Sequence, residues 1–153
     1  MSALAQNRKA RFDYEIIEKY EAGLVLFGHE VKSLRDGQGS LKGSFISTRT
    51  KDGKTELYLI NCLIPPYKRA GTLPDYDRTR ERKLLLKRGE IDRLIGKKKV
   101  EGLTLIPLRI YTNHSFLKLE FALARGKKKY DKRESLKRKD IDRRLRTLTK
   151  QNR

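Results

Sequence analysis

Charge and apolar side chains are spread unevenly along this chain of 153 residues, and this limits how much of it can form a core. Residues 126–153 hold 13 basic and four acidic residues, a net charge of +9. Their sizeable apolar side chains are Tyr130, Leu136, Ile141, Leu145 and Leu148. These side chains cannot offset a backbone ordering cost of about 1–2 kcal/mol per residue. We therefore predict a folded domain over residues 1–125 and a basic tail over 126–153 that is disordered when free.

The tail nevertheless carries a helical pattern. Ile141, Leu145 and Leu148 follow the spacing i, i+4, i+7, which places them on one face of a helix. We expect that face to become ordered when it docks on a partner. A solvated basic tail without a function would have the same composition, and this alternative stays open.

The first 125 residues alternate short strand-like runs with turn signals. Asp52-Gly53 is the strongest short hairpin signal, and residues 117–123 alternate apolar and polar side chains. Short antiparallel strands leave bare edges unless the sheet closes. We therefore predict a mainly β fold, a small closed six-stranded antiparallel barrel with two to three short helices. The predicted strands are residues 12–20, 24–27, 44–51, 54–61, 103–112 and 115–124, and the predicted helices are His29–Arg35 and Glu90–Lys98.

The net charge of the whole chain is +19, from 38 Lys and Arg against 19 Asp and Glu. A compact body with this charge repels itself, so we expect a polyanionic partner, most often a phosphate backbone. No apolar run approaches the ~20 residues of a membrane span, and the N-terminus lacks the apolar region of a secretory signal. We expect a cytoplasmic protein with no membrane partner.

Residues that could carry catalysis are sparse. Cys62 is the single cysteine, which excludes intrachain disulfides, and His29 and His114 lie far apart without ligand-like spacing. No nucleophile motif, phosphate-cradling glycine loop or HExxH sequence is present. We expect no enzyme activity, no cofactor and no metal. A nuclease that uses Asp or Glu with a metal ion is the alternative.

The segment between residues 65 and 86 differs from its surroundings. A stiff start at Pro65-Pro66 leads to Arg78, Arg80, Arg82 and Lys83, four cations within six residues. Tyr67 and Tyr76 are interleaved, and such rings could stack on bases while the cations meet phosphates. A solvated loop whose tyrosines cover the core is the alternative, and the segment alone favours it. Together with a barrel and a basic tail, the segment predicts a surface that faces RNA.

Several sequence blocks resemble the SmpB family, the transfer-messenger RNA-binding proteins of bacteria. The blocks occur in the family's order from residue 9 into the tail. They are residues 9–14 (KARFDY), 23–35 (GLVLFGHEVKSLR), 64–67 (IPPY), 77–86 (DRTRERKLLL), 102–108 (GLTLIPL) and 124–133 (ARGKKKYDKR).

The resemblance implies a barrel of the oligonucleotide-binding type that binds the tRNA-like domain of transfer-messenger RNA (SsrA RNA). It implies that the protein accompanies this RNA to stalled ribosomes, where the tail becomes helical in the vacant message channel near the decoding centre. The outcome is trans-translation, in which the ribosome is rescued and the incomplete peptide is tagged for degradation. The implied partners are this RNA, the small ribosomal subunit with its rRNA and, indirectly, elongation factor Tu and alanyl-tRNA synthetase. We expect a monomer, one per RNA.

The resemblance also assigns residues to the tRNA-like domain. The cations would neutralise phosphates, whereas Glu30 would accept a hydrogen bond from a base amino group or a ribose hydroxyl. An ion pair of Glu30 with Lys32 or Arg35 is the alternative role, and Leu84 could equally be core. The expected RNA-binding residues are Glu30, Lys32, Ser33, Arg35, Arg80, Arg82, Lys83, Leu84 and Lys118.

A second set is expected to meet the ribosome near its decoding centre. Family members often carry His where this chain has Tyr130. Either ring can stack on a base, whereas a free tyrosine titrates near 10 and cannot replace imidazole as a proton carrier. The expected residues are Lys127, Lys128, Tyr130, Asp131, Lys132 and Arg133. A general RNA-binding or structural ribosomal protein is the alternative function, since composition alone allows it equally.

Overall fold

The computed structural model describes residues 3–127 and 129–151. In this part of the chain seven strands and four α-helices are formed, with a short 3₁₀ turn at Lys68–Ala70. The strands are β1 (Ala3–Gln6), β2 (Tyr14–Leu24), β3 (Phe45–Lys51), β4 (Lys54–Ile60), β5 (Arg82–Leu85), β6 (Thr104–Asn113) and β7 (Phe116–Gly126). The helices are α1 (Ala10–Asp13), α2 (Gly28–Arg35), α3 (Arg88–Glu101) and α4 (Lys129–Gln151).

All strand pairs are antiparallel and form one sheet in the order β1-β6-β7-β2-β5-β4-β3. The mainly β prediction is confirmed. The closed six-stranded barrel is not, because the described sheet has seven strands and its end strands, β1 and β3, do not pair. The sheet therefore keeps two edges.

The difference in strand count has three local causes. The runs 12–20 and 24–27 are predicted as separate strands, but residues 21–23 between them pair in register with Glu120, Leu119 and Lys118 of β7. One long strand, β2, therefore replaces two short ones. The strands β1 and β5 have four residues each, too short to give a periodic pattern, and β5 lies inside the cationic block.

Both clear hairpins are confirmed. The β3–β4 pair turns at Asp52-Gly53, where φ is 53° and 75°, the left-handed region that an Asp-Gly turn favours. The β6–β7 pair turns after Asn113, and His114 also has a positive φ of 57°. The alternating β7 side chains point inward as predicted: Leu117, Leu119, Phe121 and Leu123 are all buried.

The main core lies on one face of the sheet, where α2 and α3 cover it. Leu34 of α2 and Leu94 of α3 are fully buried in the same cluster as Leu57, Leu84 and Leu119 of the strands. A smaller cluster joins β6 and β7 to α1: Ala10, Ile106, Leu108, Ala122 and Ala124, with Tyr14 and Ile16 packed against it. Beside this core, α2 and β5 keep exposed side chains, among them Lys32, Arg35 and Lys83.

Helix α4 occupies most of the predicted tail. Its start is close to α1, because the Lys127 N–H donates to the Asp13 carbonyl oxygen (2.9 Å) and Lys139 Nζ lies 5.8 Å from the centre of the Phe12 ring. Leu136, Ile141 and Leu145 are more than half exposed on it, at 51%, 56% and 56%. The disorder of residues 126–153 in the free protein, and with it the two-part division of the chain, stays a prediction.

Candidate nucleic-acid interface

Helix α2, the loop after β4 and strand β5 meet around one buried carboxylate, that of Glu30. Phe27 is the N-cap of α2 and has an extended backbone (φ −75°, ψ 156°), and the helix begins at the next residue, Gly28. Glu30 is the third helical residue, and its Oε1 accepts the Phe27 N–H at 2.8 Å. The carboxylate thereby satisfies one of the free amides at the helix start and lies where the helix dipole favours a negative charge.

Two arginines bind this carboxylate. Arg82 is fully buried, and its Nε and Nη2 lie 3.0 and 2.6 Å from Glu30 Oε2. Arg80 contacts both oxygens, with Nε 3.1 Å from Oε2 and Nη2 paired with Oε1. Because two guanidinium groups share one carboxylate, the cluster retains a formal charge of +1 close to the surface.

Arg82 also fixes the base of the loop that follows β4. Its guanidinium donates to the carbonyl oxygens of Cys62 and Arg78, the latter at 3.1 Å. The Ile64 N–H donates to the Arg78 carbonyl oxygen at 2.9 Å, which closes the loop. Arg82, 52 positions after Glu30, thus joins α2 to both ends of the loop through its rigid planar guanidinium.

Tyr76 completes the buried network, which we call the Glu30 network and define as Glu30, Tyr76, Arg80 and Arg82. The Tyr76 hydroxyl donates to Glu30 Oε2 (2.7 Å), lies 2.8 Å from the Ile64 carbonyl oxygen and accepts from Arg82 Nη2 (3.0 Å). The His29 ring packs edge-on against Tyr76, with ring centres 4.5 Å apart. The middle of the loop is therefore held against α2.

The pKa values in this network follow from burial and hydrogen bonding. Burial alone would raise the pKa of Glu30, but hydrogen bonds from Arg80, the Phe27 amide, Tyr76 and Arg82 outweigh it and lower the pKa from 4.5 to about 2. Burial and the neighbouring Glu30 carboxylate raise the pKa of Tyr76 to about 12. Glu30 is therefore ionised and Tyr76 is a neutral donor across the physiological range.

This geometry corrects the role expected for Glu30. The side chain is 0% exposed, and its oxygens face protein donors rather than solvent, so it offers no acceptor to an RNA base or ribose. Its ion-pair partners are Arg80 and Arg82, not the Lys32 or Arg35 expected from sequence proximity. Glu30 therefore positions Arg80 and Arg82 from within the core.

Arg82, Leu84 and Ser33 are also buried, each at 0% exposure. Arg82 and Leu84 alternate with exposed neighbours along β5 and point into the core, so neither side chain reaches the surface of this structure. Ser33 lies on the inner face of α2, and its Oγ has no hydrogen-bond partner within the described part of the chain. These residues support the surface rather than form it.

The remaining expected cations do reach the surface. Lys32 is exposed on α2 with Nζ 5.7 Å from the centre of the Tyr67 ring, and Arg35 is exposed while donating to the Ser115 carbonyl oxygen at 3.2 Å. The side chains of Arg80 and Lys83 are 21% and 44% exposed. Lys118 is half-buried on β7, opposite Gly23 and Tyr111, and does not belong to the Glu30 network.

Sequence reasoning missed Phe27, an aromatic ring 52% exposed beside this cluster, with the Arg80 guanidinium carbon 3.9 Å from its centre. Residues 24–27 are all apolar, so the sequence alone does not mark Phe27 as exposed, but in an extended segment Phe27 falls on the same side as Val25. Leu24 and Leu26 take the core side, which leaves a large ring on the solvent side.

The residues expected at the ribosome lie apart from α2, at the end of β7 and the start of α4. The structure describes Lys127 and places Arg133 on the exposed surface of α4. Lys128 lies outside the described residues. Tyr130, Asp131 and Lys132 are part of α4, but their side chains lie outside the description.

Two features are absent from residues 3–127 and 129–151. No helix there has the length and apolarity that a membrane span requires. No group of three or more His, Cys, Asp or Glu side chains in the same residues is arranged to hold a metal ion. Cys62 is buried, and burial raises the pKa of its thiol to about 11.

Comparisons with known proteins agree on one family. The family model described as "SmpB protein" matches residues 4–151. The chain is 53% identical over 142 residues to the SsrA-binding protein of Sulfurihydrogenibium sp., covering 93% of this chain and 90% of that protein. It is 49% identical over 154 residues to the SsrA-binding protein of Thermosipho africanus, covering 100% of both. A solved structure described as "tmRNA-SmpB: a journey to the center of the bacterial ribosome" matches with a TM-score of 0.64 and 48% identity, covering 86% of this chain and 92% of that one.

Proposed function

The chain belongs to the SmpB protein family, and on this premise we propose that it is the RNA-binding adaptor of trans-translation. It binds transfer-messenger RNA through the tRNA-like domain and brings this RNA to stalled bacterial ribosomes, so that the incomplete peptide is tagged for degradation. The observation that carries the proposal is the match along nearly the whole length, residues 4–151, to proteins named for binding SsrA. The protein is an adaptor and not an enzyme, because peptide-bond chemistry belongs to the ribosome.

The Glu30 network supports this function by giving the cations a fixed position. Lys32, Arg35, Arg80 and Lys83 meet phosphates of the tRNA-like domain, and each contact releases counterions and makes binding depend more steeply on salt. Lys118 adds a cation from β7, and Ser33 supports α2 from inside. Glu30, Arg82 and Leu84 act as positioning residues, since a cation held in place loses less conformational entropy on binding than one on a mobile loop.

The tail serves the second half of the function. Residues 126–153, disordered when free, enter the vacant message channel and become helical there, while residues 1–125, a domain of the oligonucleotide-binding type, stay on the RNA. Lys127, Lys128, Lys132 and Arg133 contact the rRNA backbone, Tyr130 stacks on a base, and Asp131 orients Arg133. The positive charge of the tail, net +9, suits a groove lined by phosphate.

The wider setting follows from the same family. One monomer acts per RNA molecule in the cytoplasm. Elongation factor Tu and alanyl-tRNA synthetase associate only through the shared RNA, which must be charged with alanine before it reaches the ribosome.

A binding competition tests the proposal. The full-length chain is titrated into the isolated tRNA-like domain and, at matched salt, into an unrelated RNA hairpin of equal length. We expect a clear preference for the tRNA-like domain that persists as salt is raised. Equal affinities at every salt concentration would contradict the proposal and favour a general RNA-binding protein. Incubation of both RNAs with magnesium and the protein should leave them intact, whereas cleavage would favour a nuclease.

A further inference from the structure

The segment that connects β2 to α2 presents one aromatic ring to solvent. Leu24 and Leu26 pack against the main core, whereas Val25 and Phe27 are 44% and 52% exposed. A phenyl ring has no oxygen that could accept a capping hydrogen bond, so the Phe27 side chain does not cap α2, although the residue is its N-cap. The ring is therefore not needed for the core or for the helix cap, and its exposure calls for another explanation.

The Phe27 ring packs against the Arg80 guanidinium, which limits its orientation. The Arg80 guanidinium covers one face, with its central carbon 3.9 Å from the ring centre, and this guanidinium is itself fixed by Glu30 and by the Val25 carbonyl oxygen (3.3 Å). The His29 ring lies 5.8 Å away at an angle of 36°. Arg80 occupies one face, and the Phe27 residue is nevertheless 52% exposed.

We propose that Phe27 is a stacking platform for an unpaired nucleobase of the bound RNA. The base stacks on the solvent-side face of the ring while Arg80 lies on the other face. The base must be unpaired and out of its own stack, because only then does it offer a free flat surface. This inference rests on the proposed function, in which the surface around α2 faces RNA.

The charges around the ring favour RNA over a protein partner. Arg80 and Lys83 flank the exposed strip formed by Val25, Phe27 and Leu85, and the Leu85 side chain is 52% exposed. Arg80 shares Glu30 with Arg82, and Lys83 lies 3.9 Å from Glu56; an apolar protein surface docked on this strip would bring no further negative charge to these cations. A nucleotide supplies both needed groups, a flat ring for Phe27 and a phosphate for the neighbouring cations.

Stacking has a thermodynamic signature that differs from that of the phosphate contacts. Base–aromatic stacking is worth about 1–3 kcal/mol per base by alanine substitution, roughly five- to 150-fold in affinity. Phe27 carries no charge, so its loss releases no additional counterions. We expect Phe27→Ala to weaken RNA binding by such a factor at every salt concentration while the slope of log affinity against log salt stays unchanged.

The test measures affinity of the full-length protein for the tRNA-like domain at several salt concentrations, with three variants at one position. Phe27→Ala and Phe27→Leu should both bind more weakly, because neither offers a ring, and Phe27→Tyr should bind like the unmodified protein. Phe45→Ala is the matched control: Phe45 is 49% exposed on β3, separated from β2 by β4 and β5, and its loss should leave affinity unchanged.

Three outcomes would overturn the platform. Unchanged affinity for Phe27→Ala would show that no base stacks there, and restored affinity for Phe27→Leu would assign the residue to a general apolar contact such as a protein interface. An equal loss from Phe45→Ala would show that the effect is not specific to this ring. Thermal unfolding of each variant confirms that it is folded. If the unmodified protein itself shows no preference for the tRNA-like domain, the proposed function fails, independently of the variants.

Discussion

Replacing Glu30 by Gln should destabilise the protein strongly, because it removes the single negative charge from the Glu30 network. Arg82 is fully buried and Arg80 largely so, and both direct their guanidinium groups at this carboxylate. Gln keeps the size of the side chain and one acceptor oxygen, but two cations then lack a counter-charge. Removing one partner of a buried ion pair costs about 3–5 kcal/mol.

The pKa of Glu30 gives a second value for how much its charge contributes to stability. A carboxyl whose pKa falls from 4.5 when unfolded to about 2 when folded contributes about 3 kcal/mol to stability at neutral pH. Because the folded value is the lower one, this contribution is complete above about pH 4.5 and is lost as the pH falls towards 2. The protein should therefore lose stability over this window, and the Glu30→Gln variant should lack that part of the pH dependence.

Thermal unfolding followed by circular dichroism measures both effects. For a chain of this size about 1 kcal/mol corresponds to roughly 2–4 °C in Tm, so Glu30→Gln should lower Tm by about 10 °C at neutral pH. Glu81→Gln is the matched control, because Glu81 pairs with Arg49 at an exposed site, 46% against 50% exposed, where such pairs contribute about 0–1 kcal/mol. Similar small decreases for both variants, or a Glu30→Gln variant that retains the acid-dependent loss, would refute the reasoning.

Three further predictions address the loop and the tail. Tyr76→Phe removes the hydroxyl 2.7 Å from Glu30 and should lower stability by about 1.5–3 kcal/mol by urea unfolding; a change below about 0.5 kcal/mol would contradict its role in the network. Ending the chain at Lys127 keeps all of β7, so affinity for the isolated tRNA-like domain should be nearly unchanged while tagging on stalled ribosomes is lost; lost affinity would refute the two-part division. Tyr130→Ala should reduce tagging and Tyr130→His should not, and equal tagging by both would exclude stacking.

The parts of the fold that the sequence predicted are those defined by neighbouring residues. The β3–β4 and β6–β7 hairpins follow from Asp52-Gly53 and from strict alternation, both of which act over a few positions. The missed strand β5 shows the limit. Its inward residues are Arg82 and Leu84, and a strand whose buried side includes an arginine has the composition of a cationic loop.

The sequence assigned α2 and β5 to one candidate surface but did not predict the contacts between them. The α2 and β5 segments do meet, but the pairing of Glu30 with Arg82 spans 52 positions and depends on how β5 is placed beside α2. A local pattern contains no such information, so the sequence favours Lys32 and Arg35, only a few residues away, as partners. The sequence also does not show which cations are exposed, because buried Arg82 and exposed Lys83 are adjacent in one cationic block.

The hydrogen bond between the Lys127 amide and the Asp13 carbonyl joins the chain just before α4 to the end of α1. A helix of 23 residues extends about 35 Å at 1.5 Å per residue. A helical tail therefore reaches about 35 Å from this point of attachment, while the contact of Lys139 with Phe12 keeps its first half near α1.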